Sequence, residues 1–319
     1  MTGRTPANSE WQSVTTQPCE LGESPFWHPH EQMLYWVDIA GKKILRTRPG
    51  QPAVDTWDLP DEPGCIAPAA RGGLVIAMRH GVFRAHTWRG ALQRIAQLDY
   101  DPNCMRANDG KCDALGRFWI GTLDETKLAH NAALYSLDCR EGSPALVTRQ
   151  AGPATTANGL AWSPDGRTLY WADTFRHVVH AWDCDLHSNT LSTQRIFQHF
   201  EAKPDDWAPQ FGAPVATSPA YRGRPDGAAV DVQGNYYVAM YEGGRICKFS
   251  PAGTLLAEIP TPAQCPTMPC FGGEDLRTLY VTTGRHGRSA AELEQYPQSG
   301  CVFSMRVDVP GLPVNFFKD

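Results

Sequence analysis

The sequence predicts an all-β chain, a six-bladed β-propeller with four-stranded blades, on three observations. A strand–turn–strand block recurs: RANDGKCDALGRFWIGT at 106–122, ANGLAWSPDGRTLYWADT at 157–174 and RPDGAAVDVQGNYYVAM at 224–240. Each sets a polar residue eight positions ahead of a turn glycine (Gly116, Gly166, Gly234) and follows the turn with an aromatic or β-branched run. The 29 glycines and 26 prolines spread along all 319 residues read as frequent turns. Helical periodicity is nowhere sustained. Two stacked β-sandwiches are the competing architecture.

Taken in order, residues 1–10 are expected to be a flexible tail, and 11–319 one propeller domain. Residues 11–18 are expected to supply a strand that completes a blade from the other end of the chain, removing an exposed sheet edge. GESPFWHPHEQMLYWVD is the first copy, with Glu31 in the turn position; RGGLVIAM, at Gly72, is a weaker one; FGGEDLRTLYVTT, with Leu276 in the turn, is the last. Turn positions 31, 72, 116, 166, 234 and 276 are then separated by 41, 44, 50, 68 and 42 residues, the length of a four-stranded blade. The runs KKILRTRP, ALYSLDC, HVVHAWDCD, RICKFSP and CVFSMRV continue the copies into a second strand pair. Trp27, Trp36, Trp119, Trp162 and Trp171 recur with the repeats and read as inter-blade core. The 68-residue spacing contains a non-repeating segment, 199–227, with five prolines. A segment of that kind ending at Asp226 is expected to form a lid or wall of the site, with Trp207, Phe211 and Tyr221 as apolar contacts.

Composition excludes several classes of function. The net charge of −5, from 34 acids against 29 bases, comes without any basic stripe, so nucleic acid is not an expected partner. No window reaches the length of apolar chain that crosses a bilayer, and MTGRTPANSE does not read as a secretory signal, so a cytoplasmic protein away from membranes is expected. Ten cysteines without a C-x-x-C pair read as reduced, mostly buried thiols. Neither H-E-x-x-H nor G-x-S-x-G occurs, and His28 and His30 read as exposed turn residues rather than zinc ligands.

In a propeller the first strand of each blade lines the central channel, so residues at one repeat phase form a ring. Counting eight back from each turn position gives Glu23, Gly64, Asn108, Asn158, Asp226 and Met268. Two carboxylates and two amides converging there would suit a hard divalent cation. The bland alternative is that Asn-Gly and Asp-Gly are merely turn dipeptides.

The blocks GESPFW, RANDGKCDALGRFWIGT, NGLAWSPDGRTLYWADT, PDGAAVDVQGNYYVA, GGRICKFSP and CFGGEDLRTLYVTT resemble those of the senescence-marker-protein/gluconolactonase family, over residues 22 to about 307. The resemblance implies the six-bladed propeller and a metal-dependent hydrolase opening a sugar lactone of gluconolactone, xylonolactone, arabinolactone or galactonolactone type. It implies one divalent cation, whether calcium, zinc, manganese, magnesium or iron, on Glu23, Asn158 and Asp226, with Asp226 also the general base. It implies substrate contacts from Arg106 and Asn108. The family glutamate five residues after the glycine of its GTM motif falls here, in GTLDET, on Thr126, with Glu125 adjacent as the stand-in. The rival reading is a non-catalytic calcium-binding regulatory propeller of regucalcin type.

Overall fold

Six four-stranded antiparallel sheets form a ring in the computed structural model, which describes residues 11–51, 53–140, 145–207 and 221–319. Blade 1 runs through Gly22–His28, Met33–Asp38, Lys43–Thr47 and Val54–Asp58, and blade 2 through Pro63–Pro68, Leu74–Met78, Gly81–Ala85 and Gln93–Ala96. Blade 3 has Met105–Cys112, Phe118–Asp124, Ala132–Asp138 and Leu146–Ala154; blade 4 has Ala157–Trp162, Thr168–Asp173, Val178–Asp185 and Thr190–His199. Blade 5 has Arg224–Val230, Tyr236–Tyr241, Arg245–Phe249 and Leu255–Pro260. Blade 6 has Pro266–Gly272, Thr278–Thr283 and Phe303–Arg306, and its outer strand is Gln12–Ser13, pairing with Ser304 and Phe303. The closing strand expected from residues 11–18 is thus present, two residues long. The expected tail, residues 1–10, lies outside the described residues. No described helix is long and apolar enough to cross a membrane.

First strands of successive blades pack against one another, and that of blade 6 closes on blade 1. All seven residues of Gly22–His28 are buried, whereas the outer strand Thr190–His199 is mostly exposed. This is why alternation shows poorly in the inner strands: packed on both faces, they can be apolar at every position. Between blades the core is aromatic and β-branched. Trp119 packs edge-on against Trp162, Trp27 stacks on Tyr280, and the Trp119 indole donates to Asp113 at 2.9 Å. All ten cysteines are unpaired, eight of them buried.

The turns follow side-chain chemistry. One oxygen of Asp113 accepts from the backbone N–H of Leu115, Gly116 and Arg117 at 2.8–3.0 Å, and Gly116 takes φ 98°, a left-handed conformation that costs glycine little. The first repeat corrects the sequence reading by one position: Gln32, not Glu31, carries the positive φ. Between the strand limits that turn spans four residues, against five in each of the other blades. His28 also departs from expectation, being 7% exposed. Its ring meets Phe316 edge-on, and one ring nitrogen accepts from the Glu31 N–H.

Phe316 belongs to a C-terminal strap that crosses one face of the ring. Leu312 N–H donates to the Val230 carbonyl, Phe317 N–H to Pro68, and Lys318 N–H to Gly116, tying blades 5, 2 and 3 together. Phe317 is fully buried among Ala69, Phe118 and Leu137. Beneath the strap the channel widens into a largely apolar cavity of about 130 Å³ lined by Phe26, Trp162, Met268, Phe271 and Leu312. The polar residues singled out from the sequence lie toward the opposite mouth, where the inner strands begin.

Candidate active site at one mouth of the channel

Every inner strand carries a register shift near its start, between Glu23 and Phe26, Pro63 and Cys65, Ala107 and Gly110, Asn158 and Ala161, Pro225 and Ala228, and Pro266 and Met268. A bulge leaves a residue unpaired and re-aims its side chain. The Asn-Asp-Gly, Asn-Gly and Asp-Gly segments are these bulges, inside strands rather than hairpin turns. The glycines admit close neighbours: a Cβ on Gly227 would strike the Met268 side chain. Aligned through the bulges, Glu23 is level with Asn158, whereas Asn108 and Asp226 sit one residue later. The ring therefore mixes two adjacent positions.

A continuous hydrogen-bonded line joins three blades at this mouth. Arg106 Nη1 donates to Asn108 Oδ1 at 2.8 Å and to the Ala107 carbonyl at 2.9 Å. Asn108 Nδ2 donates to Asn158 Oδ1 at 2.8 Å and to the Ala157 carbonyl at 2.9 Å. Asn158 Nδ2 donates to Thr174 Oγ1, whose hydroxyl donates to the Pro225 carbonyl, both at 2.8 Å. Arg106, Asn108, Asn158, Glu23 and Asp226 are all buried, at 3–9% exposure. Both Asn108 N–H groups are spent on neighbours, which leaves one lone pair on its Oδ1 for a ligand hydroxyl.

The carboxylates are electrostatically unsettled. Burial, then the neighbouring charges of Asp226 and Asp109, hold the Glu23 carboxyl well above its usual range. Burial and Asp109 push Asp226 up to about 8, with Arg224 and Arg106 opposing only in part. Asp109, missed from the sequence although it sits inside the quoted RAND, accepts from Leu160 N–H through Oδ2, while its buried Oδ1 has no partner. Lys111, partly buried, donates to the carbonyls of Leu160 and Ala228 in blades 4 and 5. Among the described residues no group of three or more His, Cys, Asp or Glu side chains is arranged to hold a cation. The Asp109 charge raises the carboxyls of both Glu23 and Asp226.

Glu125 and Thr126 separate clearly. Thr126 turns its hydroxyl and its N–H to Asp124 Oδ1, away from the mouth. Glu125 is gripped by both terminal nitrogens of Arg79 at 2.8 and 2.9 Å, and its Oε1 stands 4.0 Å from Arg106 Nε. Arg79, also bound to Glu62 at 2.9 Å, carried no signal in the sequence. Of the loop contacts, Tyr221 is 2% exposed with its hydroxyl on Glu242 at 2.8 Å, so it is a wall residue and not an open face for a ligand. Trp207 packs edge-on against it, and Phe211 lies outside the described residues.

A family model for the SMP-30/gluconolactonase/LRE-like region matches residues 21–285. The chain belongs to this family. Sugar-lactone hydrolases are among the proteins it resembles. It is 38% identical over 304 residues to a 6-deoxy-6-sulfogluconolactonase of Pseudomonas putida, covering 95% of this chain and 97% of that one. It is 31% identical over 306 residues to regucalcin of Danio rerio, covering 95% and 96%. Among solved structures, a luciferin-regenerating enzyme aligns with a TM-score of 0.82 at 26% identity over 97% of this chain and 99% of that one. A calcium-binding regucalcin from Agrobacterium tumefaciens aligns with a TM-score of 0.84 at 22% identity, covering 96% and 97%, a likeness of fold. Membership of the SMP-30/gluconolactonase/LRE-like family agrees with the six sheets and with the six signature blocks read from the sequence.

Proposed function

We propose that this chain hydrolyses a sugar lactone to its aldonic acid at this mouth, with one divalent cation held by Glu23, Asn158 and Asp226. The observation that carries the reading is the line Arg106–Asn108–Asn158–Thr174 lying beside two buried, mutually repelling carboxylates. The donor set fits such an ion. Two carboxylates and an amide oxygen are hard ligands, Asn158 Oδ1 keeps a second lone pair, and a positive charge between Glu23 and Asp226 would relieve their repulsion. The 38% identity to a lactonase supports the same chemistry. A cation there supplies Lewis acidity to a lactone oxygen or to water.

The chain's own groups do the rest. The Asp226 carboxylate takes a proton from the water that attacks the lactone carbonyl carbon. The ring C–O bond then breaks, and the proton ends on the departing alkoxide, giving acid and hydroxyl. Arg106, anchored through one nitrogen, turns its remaining N–H groups to substrate oxygens, and Glu125 accepts a hydrogen bond from a substrate hydroxyl. The deciding experiment measures acid release from gluconolactone, xylonolactone, arabinolactone and galactonolactone after chelation and again with calcium, zinc, manganese, magnesium or ferrous ion. Acid release above the spontaneous rate, lost on chelation, is expected. Inactivity on every lactone with the cation retained overturns the reading in favour of a calcium-binding propeller.

Two further outcomes are expected. Glu125→Gln is expected to raise KM about tenfold, the worth of roughly one charge-assisted hydrogen bond, while Thr126→Val changes kcat/KM less than about twofold. The reverse ranking would move the substrate contact to Thr126. Cation-dependent stabilisation is expected to grow with pH. Without the ion, folded Asp226 keeps its proton up to about pH 8. The unfolded chain loses it near the ordinary carboxylate pKa of about 3.9. The folded state thus binds more protons in that window, and the stability of the metal-free protein falls as pH rises through it. The rise in Tm on adding the cation should be larger at pH 8 than at pH 5, and an equal rise at both would count against Asp226 as a ligand.

A further inference from the structure

A second charged cluster lies against the same mouth. Glu242, which follows the second strand of blade 5, accepts from Lys203 Nζ at 2.8 and 3.0 Å, from Arg288 Nη1 at 3.0 Å and from the Tyr221 hydroxyl at 2.8 Å. Arg288 also grips Glu292 at 2.7 and 2.9 Å. Arg224 completes the group but is poorly paired. Its Nη2 stands 3.7 Å from Glu242, too far for a hydrogen bond, and its Nε is buried without a partner. The guanidinium packs over the rings of Phe175 and Tyr241 at 4.7 and 5.4 Å, and Lys127 lies 4.9 Å from the other partner of that stack, Phe175. Four cations thus face Glu242 and Glu292, and Arg224 also feels the Asp226 charge. Arg224 sits two residues before Asp226 on the same strand, about 6–7 Å along an extended chain, roughly the span from the carbonyl of a six-carbon lactone to its far end.

Resting on the lactonase reading above, we propose that the substrate is an aldonolactone bearing an anionic group, a sulfonate, phosphate or carboxylate, at the carbon farthest from the carbonyl, and that Arg224 receives it with Arg288 and Lys127 behind. An under-satisfied, largely buried arginine leaves donors that a charged oxygen acceptor completes, and a planar guanidinium suits all three groups. A neutral hydroxymethyl group would give the poorly paired Arg224 guanidinium no charged acceptor.

The test compares kcat/KM for gluconolactone with that for its 6-phosphate, 6-sulfonate and 6-carboxylate analogues, in the wild type, Arg224→Gln, Arg224→Lys and the exposed-site variant Lys127→Gln. At least one anionic analogue is expected to exceed the neutral lactone by tenfold or more at low salt, with the advantage shrinking as ionic strength rises. Arg224→Gln is expected to cut the anionic-to-neutral ratio at least tenfold, Arg224→Lys less, and Lys127→Gln about threefold. Thermal melts confirm that each variant is folded, and should Arg224→Gln fail to fold, Lys127→Gln carries the comparison. Preference for one anion identifies the group, and equal preference shows that charge alone is read. An unchanged ratio in the variants, or a wild type indifferent to charge while still hydrolysing lactones, overturns the subsite and leaves the lactonase reading standing. A wild type inactive on every lactone overturns that reading itself.

Discussion

Alanine at Asp226 is expected to lower kcat by at least about 1000-fold, the range over which a positioned general base acts, and to release the cation in the same step. The fold should survive. Asp226 lies outside the six apolar clusters of the blades, and its loss removes one of two carboxylates that repel each other in the metal-free protein. The metal-free variant should therefore melt no lower than the metal-free wild type at pH 8, where the native carboxylate would otherwise be losing its proton in a buried place. Steady-state rates, bound-metal analysis and thermal melts on one preparation check all three points. Wild-type turnover, or a full complement of metal, would remove Asp226 from the centre of the mechanism.

Arg106→Ala is expected to lower kcat/KM about 100-fold while the protein keeps its metal. Arginine has donors and no lone pair, so it cannot be a ligand, and in the proposed mechanism its remaining N–H groups meet substrate oxygens. The size of the effect combines a lost charge-assisted hydrogen bond, worth about 1.5–3 kcal/mol, with a loosened Asn108. Arg106 Nη1 holds Asn108 Oδ1, and Asn108 in turn holds Asn158 Oδ1. Arg106→Lys should recover part of the loss, because a single ammonium can restore charge but not the anchored fork. Kinetics unchanged on a turned-over lactone would contradict this role, and loss of the metal would show that the arginine acts by holding Asn158 in place.

The repeat was legible because its causes are local. Glycine at a left-handed turn such as Gly116, an aspartate such as Asp113 tying three N–H groups, and the aromatic run that follows are all set by neighbours in the chain. Once the repeats are counted, closure brings their starts to one axis, so Glu23, Asn108, Asn158 and Asp226 could be placed on a common mouth without coordinates. The one-residue slip at Gln32 arose where a turn of different length carries no glycine, and the error was harmless because the bulges already mix two adjacent ring positions. His28 read as exposed because a polar residue beside a turn normally faces water. Here the C-terminal strap, almost three hundred residues away in the chain, brings Phe316 against it.

The amino-acid sequence by itself thus determined the propeller, the phase of its inner strands and the residues that ring one mouth, since each depends on short-range backbone preference repeated six times. Only the tertiary structure decided which charges meet there. Arg79 grips Glu125 from 46 positions away, and Arg224, Lys203, Arg288 and Glu242 come from blade 5, the connection before it and the segment between Thr283 and Phe303 of blade 6 that holds the short helix Ala290–Gln295. Such partners share no period and no motif. They are chosen by which blade tops lie side by side and by the requirement that a buried charge find a counter-charge within a few ångströms, conditions that exist only once the ring has closed.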